Sequence, residues 1–477
     1  MRPEIHFTPP SGWMNDPNGL VYLDGEYHLF YQHNPFDINW GHTSWGHAVS
    51  RDLLHWQHLP VAIPETDGVM AFSGSAVVDW HNTSRLGNGR NPPLVAAFTG
   101  FHPDTKIQDQ RIAYSQDNGR TWHLYANNPI INLNETEFRD PKLLWHDNTQ
   151  KWVMVVGLAM QRKLQFYKST NLREWQFMSD LALPTAGTGV WECPDLFPMK
   201  TAAGREKWVL VISIGSGAIG GGSGVQYFVG EFDGCSFTAD AFPPKWLDFG
   251  PDFYAVASWN NLPTEDGRTI CLGWMSNLQY ANVTPATAWR GQQSLPRELQ
   301  LVEGENGYSL RQRPVYELQS QRRPYCQLSS FTIPNSSAFT QSLPMAAEIQ
   351  LAIQPQTTTD IQLQLKAGHS QTLAYWIHIS QETITLDRAR IGHQFHAGFP
   401  NQFIAPLKLE NGRVTLNIWL DLDSVELFTG NGRIAFSSLF FREQKPCQLI
   451  ITPHNSHTTI IDCQIWSLQT KNLSEQP

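Results

Sequence analysis

The sequence predicts an all-β protein, a five-bladed β-propeller followed by a C-terminal β-sandwich. Three observations favour this fold class. Five short apolar strands recur at a nearly constant step through the first 300 residues. Strictly alternating apolar and polar runs follow in the last third of the chain. The chain also carries 18 Trp, 25 Phe and 13 Tyr without a convincing long amphipathic helix, as expected for wide sheet faces.

The repeat is the strongest of these observations. The apolar strands begin 67, 58, 56 and 62 residues apart, at Tyr27, Leu94, Trp152, Trp208 and Ile270. A step of roughly 60 residues, rich in Gly, Asn and Asp turns, fits one four-stranded propeller blade. Three repeats also share an outer Ser-x-Asp/Asn turn followed by Trp, at Ser50, Ser115 and Ser169. Residues 1–300 are therefore predicted to form five blades.

A second short segment precedes each apolar strand by about one hairpin, and it is predicted to be the innermost strand of its blade. These segments are Trp13–Asp16, Phe72–Ser75, Phe138–Pro141, Trp191–Pro194 and Asp252–Ala255. Inner strands converge on the propeller axis. The repeat alone therefore predicts that Asp16, Asp140 and Glu192 share one funnel.

The pattern changes after the propeller. A polar stretch rich in Arg and Gln, Arg311–Pro324, predicts that residues 301–325 form a linker with room for one short helix. Alternating runs mark residues 326–477 as a jelly-roll-like sandwich, because alternation is typical of half-buried antiparallel strands. The runs are Ala347–Ile353, Ile361–Leu365, Thr383–Leu386 and Val414–Phe441, the last broken by the turn Gly430–Gly432.

Composition excludes several function classes. A net charge of −9 without a basic stripe argues against a nucleic-acid partner. No apolar run reaches the roughly 18 residues that span a bilayer, so no membrane partner is expected. The N-terminus lacks a signal-peptide core, which predicts a cytoplasmic protein, or a secreted one if the N-terminus was trimmed. Six scattered cysteines and the lack of an HExxH motif predict reduced thiols, no metal and no cofactor. The sequence does not specify the oligomeric state.

The three carboxylates carry the chemistry. Glycoside hydrolysis needs two carboxyl groups flanking one bond, one as acid and one as nucleophile or base. Taken singly, each has a structural interpretation: an Asx turn for Asp16, a local ion pair with Arg139 for Asp140, and a buried acid for Glu192. Their matching positions in three repeats favour a catalytic function over three unrelated turns.

Four motifs resemble the signatures of glycoside hydrolase family 32, which contains invertases, exo-inulinases and levanases. They are WMNDPNG at Trp13–Gly19, FSGS at Phe72–Ser75, FRDP at Phe138–Pro141 and WECPD at Trp191–Asp195. Leu272–Asn277, Ser294–Leu299 and Asp423–Phe428 extend the resemblance over nearly the whole chain. The resemblance implies a retaining exo-β-fructofuranosidase acting on sucrose, fructo-oligosaccharides and fructans. It implies Asp16 as nucleophile, Glu192 as acid/base and Asp140 as transition-state stabiliser.

The resemblance also implies a pocket for the fructosyl unit of an oligosaccharide substrate. Its residues would be Asn15, Gln32, Trp40, Phe72, Ser73, Arg139, Tyr254 and Trp274. Core packing is the alternative interpretation for Trp40 and Trp274. Cys193 joins the candidates as an uncharged neighbour of Glu192, with a plain buried cysteine as the alternative. The glycine-rich residues 215–222 lack the Gly-Lys-Ser/Thr of a phosphate loop and are predicted to form a mobile loop at the funnel rim.

Three other functions compete. A fructosyltransferase would pass the same covalent intermediate to a sugar, and the sequence does not separate it from a hydrolase. A catalytically dead carbohydrate-binding protein would lack a carboxylate, whereas all three are present. A five-bladed hydrolase of arabinosides fits the long Trp13–Gly19 motif less well. The segment Trp274–Arg290 favours exo-inulinases and levanases over sucrose 6-phosphate hydrolases.

Overall fold

The structure, a computed structural model, describes residues 2–185, 187–219, 221–241, 243–304, 307–356, 359–392, 395–442 and 446–469. Within these ranges the chain forms 35 β-strands and four short 3-10 helices, and it contains no α-helix. The strands form five sheets of a propeller and then the two sheets of a sandwich. The predicted fold class is therefore confirmed.

Each propeller sheet is an antiparallel meander whose first strand lies innermost. Blade 1 contains β1 (Gly12–Leu23), β2 (Glu26–Asn34), β3 (Ser44–Ser50) and β4 (Gln57–Ile63). Blade 2 contains β5 (Met70–Val78), β6 (Leu94–Phe101), β7 (Gln108–Ser115) and β8 (His123–Leu124). Blade 3 contains β9 (Phe138–His146), β10 (Lys151–Leu158), β11 (Lys163–Ser169) and β12 (Gln176–Leu181).

The last two blades carry small additions. Blade 4 contains β13 (Trp191–Lys200), β14 (Glu206–Ile214), β15 (Gly224–Phe232), β16 (Phe237–Ala239) and the short β17 (Lys245–Trp246), which pairs with β15. Blade 5 contains β18 (Tyr254–Ser258), β19 (Thr269–Trp274), β21 (Arg297–Gly304) and β22 (Gly307–Pro314). The short strand β20 (Trp289–Arg290) lies between β19 and β21 in the chain but joins the sheet of blade 1, where it pairs in parallel with β1. The five inner strands contact one another in a closed ring in the order β1, β5, β9, β13 and β18.

Apolar cores between neighbouring blades hold the ring together. The second strands β6, β10 and β14 are buried along almost their whole length, because each is covered on both faces by the adjacent blades. The predicted outer turn is also confirmed in blades 1 to 3. In each of them the Trp side chain donates through Nε1 to a backbone carbonyl three residues earlier, as in Trp56 to Leu53 at 3.1 Å.

The predicted boundary at residue 300 is wrong. Strands β21 and β22 form an antiparallel hairpin in which Arg297 pairs with Pro314 at one end and Gly304 pairs with Gly307 at the other. This hairpin completes blade 5, so the propeller extends to Pro314. The true connection is short and contains the 3-10 helix Tyr316–Gln321, which agrees with the short helix allowed for. The alternation that marks sandwich strands also occurs in an outer blade strand, and the sequence pattern did not separate the two.

The sandwich packs two antiparallel sheets over one large apolar core. The first contains β23 (Arg322–Leu328), β35 (Thr458–Leu468), β26 (Ala347–Pro355), β31 (Val414–Leu420), β32 (Ser424–Thr429) and β33 (Ile434–Leu439), with β24 (Phe331–Ile333) beside β35. The second contains β25 (Phe339–Ser342), β34 (Cys447–His454), β27 (Asp360–Ala367), β28 (Gln371–His378), β29 (Thr383–Arg390) and β30 (Gln402–Pro406). The remaining 3-10 helices are Ala159–Gln161, Ala281–Val283 and Gly430–Gly432.

A buried ionic network joins the two domains. Arg297 of blade 5 donates to Glu426 of the sandwich at 2.5 Å and to Asp248 at 2.9 Å. His6 bridges Glu426 and Asp421 with its two ring nitrogens. Charges this deeply buried require such pairing, so the network fixes how the propeller and the sandwich meet.

Three smaller predictions concern the rest of the chain. The glycine-rich residues 215–222, of which Gly220 lies outside the described residues, connect β14 to β15 at the funnel end. The six cysteines are free thiols, as predicted. No helix among the described residues is long and apolar enough to cross a membrane.

Candidate active site

A β-bulge interrupts every inner strand of the propeller at the same register. In each blade three steps along the inner strand oppose two steps along the second strand. The two bulged residues are Asn15–Asp16, Phe72–Ser73, Asp140–Pro141, Cys193–Pro194 and Ala255–Val256. Asp140, Cys193 and Ala255 have positive φ angles of 66°, 45° and 51°. A bulge re-aims side chains, and here five of them turn side chains toward one funnel.

The carboxylates occupy three different positions of this bulge. Glu192 is the residue before its bulge, Asp140 is the first bulged residue and Asp16 is the second. The prediction that they share one funnel is supported by their common contacts, but the predicted match of their positions holds only to within the bulge and not residue for residue. Arg139 and Tyr254 are the true counterparts of Glu192 in the flanking blades.

Asp16 is held at both carboxylate oxygens. Ser73 Oγ donates to its Oδ2 at 2.6 Å, and Asn15 Nδ2 donates to its Oδ1 at 3.0 Å. Trp13 Nε1 donates to the Asn15 amide oxygen at 2.6 Å and so orients that donor. Burial raises the pKa of Asp16, the Ser73 hydrogen bond opposes this, and the nearby Glu192 charge adds to it. The two donors leave the carboxylate with one fixed orientation.

Asp140 is the most deeply buried of the three carboxyls. Its backbone N–H donates to Thr99 Oγ1 at 3.0 Å, and the Cys193 N–H donates to its Oδ2 at 2.9 Å. Burial raises its pKa to about 7; the Arg139 charge opposes this, and the charges of Glu192 and Asp16 add to it. This carboxyl therefore titrates near neutral pH.

Glu192 is oriented by its counterparts in the neighbouring blades. Arg139 Nε donates to Oε1 at 3.1 Å, and the Tyr254 hydroxyl donates to Oε2 at 2.5 Å. Arg139 is itself held, because its Nη1 donates to Glu137 at 2.5 Å and to Gln108 at 3.2 Å. Burial alone would lower the pKa of Arg139, but the surrounding carboxylates raise it above its usual range. The guanidinium therefore stays charged beside Glu192.

The Cys193 thiol lies between the two aspartates. Its Sγ is 3.5 Å from Asp16 Oδ2 and 3.6 Å from Asp140 Oδ2. Burial and three nearby carboxyls raise the pKa of this thiol well above its usual value. Cys193 is therefore a neutral spacer between two carboxyls rather than a nucleophile.

Aromatic side chains form two walls around the carboxyls. One wall combines blades 1 and 5, where Trp13 and Trp274 meet edge to face at 6.0 Å and Tyr254 packs in the same cluster. The other starts at Trp40, which is 47% exposed in the loop after β2 and contacts Phe72 edge to face at 6.0 Å. Apolar ring faces beside convergent polar groups suit a sugar, which has both kinds of surface.

Several side chains predicted to bind the sugar form hydrogen bonds with other protein groups in the structure. Gln32 is buried and its Nε2 donates to the Ala71 carbonyl at 2.9 Å, so its amide nitrogen ties β2 to β5. Asn15 and Ser73 bind Asp16, and Arg139 binds Glu192. These contacts orient the carboxyls, and direct binding of sugar by the same residues stays a prediction.

Sequence reasoning missed a set of supporting residues around the carboxyls. They are Thr99, Gln108, Glu137 and Gln293, the last donating to the Asn15 carbonyl at 2.8 Å. All four lie outside the motifs, although Glu137 and Gln293 each directly precede one, and the sequence held no signal for their contacts. Among the described residues no group of three His, Cys, Asp or Glu side chains is arranged to hold a metal ion.

Comparisons with known proteins agree with this geometry. Residues 6–314 match the model of the glycosyl hydrolases family 32 N-terminal domain, and residues 317–467 match that of its C-terminal domain. A levanase of Bacillus subtilis (strain 168) is 42% identical over 456 residues, covering 93% of this chain and 67% of the levanase. An extracellular exo-inulinase of Aspergillus awamori is 38% identical over 481 residues, covering 92% and 89%.

Solved structures give the same result at the level of the fold. The crystal structure of the Aspergillus awamori exo-inulinase has a TM-score of 0.93 at 35% identity, and 98% of each chain is covered. A fructofuranosidase of Schwanniomyces occidentalis complexed with fructosylnystose has a TM-score of 0.88 at 31% identity, again with 98% of each chain covered. Both halves of the chain, the order of the motifs and the bulged carboxylate funnel lead to one conclusion: this protein belongs to glycosyl hydrolase family 32.

Proposed function

We propose that this protein is a retaining exo-β-fructofuranosidase that removes terminal β-D-fructofuranosyl units from sucrose, fructo-oligosaccharides and fructans. The observation that carries the proposal is the arrangement of Asp16, Asp140 and Glu192 around the Cys193 thiol and the Arg139 guanidinium. The levanase and exo-inulinase relatives support the substrate class.

In the first step Glu192 donates its proton to the oxygen of the leaving group while Asp16 attacks the anomeric carbon. The bond to the leaving group breaks, and a covalent fructosyl ester forms on Asp16. The Ser73 and Asn15 donors hold the attacking carboxylate in place, which reduces the cost of aligning it. Tyr254 and Arg139 hold Glu192 on the side of the leaving group.

In the second step the ionised Glu192 takes a proton from water, and that water hydrolyses the ester. Two inversions at the anomeric carbon leave the fructose as its β-anomer. Asp140 stabilises the oxocarbenium-like transition states through the ring hydroxyls, and positive charge developing on the sugar favours its ionised form. The positive charge of Arg139 also favours the ionised form of Asp140.

The closed floor of the funnel supports cleavage from chain ends. Beneath the carboxyls Lys142 and Asp195 form a buried ion pair at 2.7 Å, and the Ser258 N–H donates to Asp195 at 2.5 Å. This pair joins blades 3, 4 and 5 across the axis. A polymer cannot thread past it, so one terminal fructose enters while the rest of the substrate lies across the rim.

Two variants test the proposed roles. Asp16→Ala and Glu192→Ala should each lower turnover of sucrose by several orders of magnitude and leave the fold intact. Glu192→Ala should regain part of its activity on a nitrophenyl fructoside, whose leaving group needs no protonation. Asp180→Asn is a matched control, because it removes an exposed carboxylate on an outer strand. Near-normal sucrose cleavage by either site variant contradicts the assignment.

The substrate preference has its own test. Sucrose and short fructo-oligosaccharides should be good substrates, and polymeric fructan should be shortened more slowly from its ends. Chromatography of an inulin digest should show fructose as the first product, whereas early oligosaccharides would indicate cleavage within the chain. Release of glucose well in excess of fructose from sucrose would instead support a fructosyltransferase.

A further inference from the structure

One arginine of the sandwich extends into the propeller next to the proposed active site. Arg388 lies in β29, and its side chain is fully buried. Its Nη1 donates to Asp252 Oδ2 at 2.7 Å, and its Nη2 donates to the Tyr280 hydroxyl at 3.1 Å. The Tyr280 hydroxyl in turn donates to Asp252 Oδ1 at 2.5 Å. The three side chains form a closed network between the sandwich and blade 5.

Asp252 also forms hydrogen bonds with the backbone of the sandwich. Its Oδ2 accepts the N–H of Leu439 at 2.8 Å, and its own N–H donates to the Ser437 carbonyl at 3.2 Å. Burial raises the pKa of Asp252, and the Arg388 charge opposes this. Without Arg388 the carboxylate would lose its only charged partner among the described residues, and a buried charge without a partner is strongly destabilising.

The network lies just before β18, whose first residue, Tyr254, contacts Glu192 of the neighbouring blade. Tyr254 follows Asp252 by two residues, opens β18 and donates to Glu192 Oε2 at 2.5 Å. Tyr254 also pairs across the sheet with Trp274, and Tyr280 anchors the segment that follows Trp274. Arg388 therefore fixes the chain on both sides of the Tyr254–Trp274 pair.

From these contacts we propose that Arg388 is a positioning residue for catalysis, through which the sandwich sets the orientation of the Glu192 carboxyl. It acts through Asp252 and Tyr254 and touches no substrate. The inference rests on the proposed role of Glu192 as acid/base. Reacting groups lose rate when displaced by about 1 Å, by up to roughly 100-fold, so a small movement of Tyr254 is enough to slow proton transfer.

The test separates proton transfer from general damage. Arg388→Met, Tyr254→Phe and the double variant would be compared with the wild-type chain in kcat/KM on sucrose and on a nitrophenyl fructoside. The ratio kcat/KM reports the first bond cleavage, and only sucrose needs protonation there. Arg388→Met should lose about tenfold more activity on sucrose than on the nitrophenyl fructoside. Tyr254→Phe should show the same selectivity, and the double variant should be no more selective than Tyr254→Phe.

Arg268→Met is the matched control. Arg268 also forms charge pairs beside blade 5, partly buried ones with Asp266 and Glu317, but at the end of the blade away from the funnel. Its loss should lower stability without changing the ratio between the two substrates. If Arg388→Met does not fold, Arg388→Lys keeps a charge beside Asp252 but cannot bind Asp252 and Tyr280 together, and the same selective loss is expected of it.

The outcomes are distinct. An equal loss on both substrates by the Arg388 variants overturns the inference, as does a double variant in which the two selectivities multiply. If Tyr254→Phe and Glu192→Ala themselves show no selectivity for leaving group, the proposed role of Glu192 fails instead. Selective loss in the Arg388 variants that disappears in the Tyr254→Phe background supports the inference.

Discussion

Raising the pH should destabilise this protein through one buried histidine, His6. Its Nδ1 lies 2.8 Å from Asp421 Oδ2 and its Nε2 lies 3.0 Å from Glu426 Oε1, and all three side chains are fully buried. Burial lowers the pKa of His6, but the hydrogen bonds and charges of the two carboxylates outweigh it and raise the pKa to about 9. The pKa values of Asp421 and Glu426 are lowered, so His6 is the member of the cluster that titrates between neutral and alkaline pH.

The sign and size of the effect follow from linkage. The pKa of His6 is higher in the folded chain than its ordinary value of 6.5, so protonation stabilises the folded state. The stabilisation is fully present below about pH 6.5 and is lost as the pH rises through about 9. The difference between the two pKa values corresponds to about 3 kcal/mol. The pairs are counted once, because the lowered pKa values of the carboxylates describe the same interactions.

Urea unfolding at about pH 6 and about pH 9.5 measures this effect, with His6→Gln as the variant. The variant should be less stable than the wild-type chain by about 3 kcal/mol at the lower pH and nearly equal to it at the higher pH. His42→Gln is the control, since His42 pairs with Glu65 at an exposed site and its loss should have a small effect at either pH. A difference between wild type and His6→Gln that stays constant across this range refutes the reasoning.

Three further predictions concern the site. Ser73→Ala removes a donor to Asp16, so the pKa of Asp16 should rise further and the acid limb of kcat/KM should move to higher pH; an unmoved limb contradicts the role of this bond. Gly291→Ala should lower the free energy of unfolding by at least about 2 kcal/mol and reduce turnover, because Gly291 has φ +98° and a Cβ there would lie 2.0 Å from the Met14 carbonyl oxygen. A variant with the unfolding free energy and the sucrose activity of the wild-type chain would disprove this. Extended dialysis against a chelator should leave the rate unchanged, since Arg139 provides the positive charge of the site; activity restored by one divalent ion would reveal a missed metal.

The fold was largely predictable because a repeat needs no knowledge of contacts. The strands beginning at Tyr27, Leu94, Trp152, Trp208 and Ile270 all became second strands of blades. The motif segments before them became inner strands. The boundary at residue 300 failed because β21 and β22 alternate like sandwich strands, and only their pairing with β19 assigns them to blade 5.

The site was predictable to the level of its motifs but not of its register. Nothing in the sequence shows that Asp140 takes the bulge position of Asn15 rather than that of Asp16, because a bulge is defined by pairing with the second strand. The contacts of Arg388 with Asp252 and of His6 with Glu426 also join positions far apart in the chain. Side-chain identity alone carries no information about such distant partners. The cytoplasmic location stays a prediction.

The five matching bulges make the proposed catalytic groups separately adjustable. Each carboxyl belongs to its own blade, so a substitution in one bulge changes one group while the backbone of the others keeps its shape. Deleting a single bulged residue has a different effect: it restores regular pairing, so the residues on either side keep their cross-strand partners and one residue stands where two stood before. In blade 1 that deletion would cost either Asp16 or its donor Asn15, whereas in blade 5 Ala255 and Val256 carry no polar group and the loss of either would act only through their neighbour Tyr254. The propeller should therefore tolerate substitutions in the inner strands far better than insertions or deletions there. A library of variants of the funnel should substitute residues and keep the five bulges at their present length.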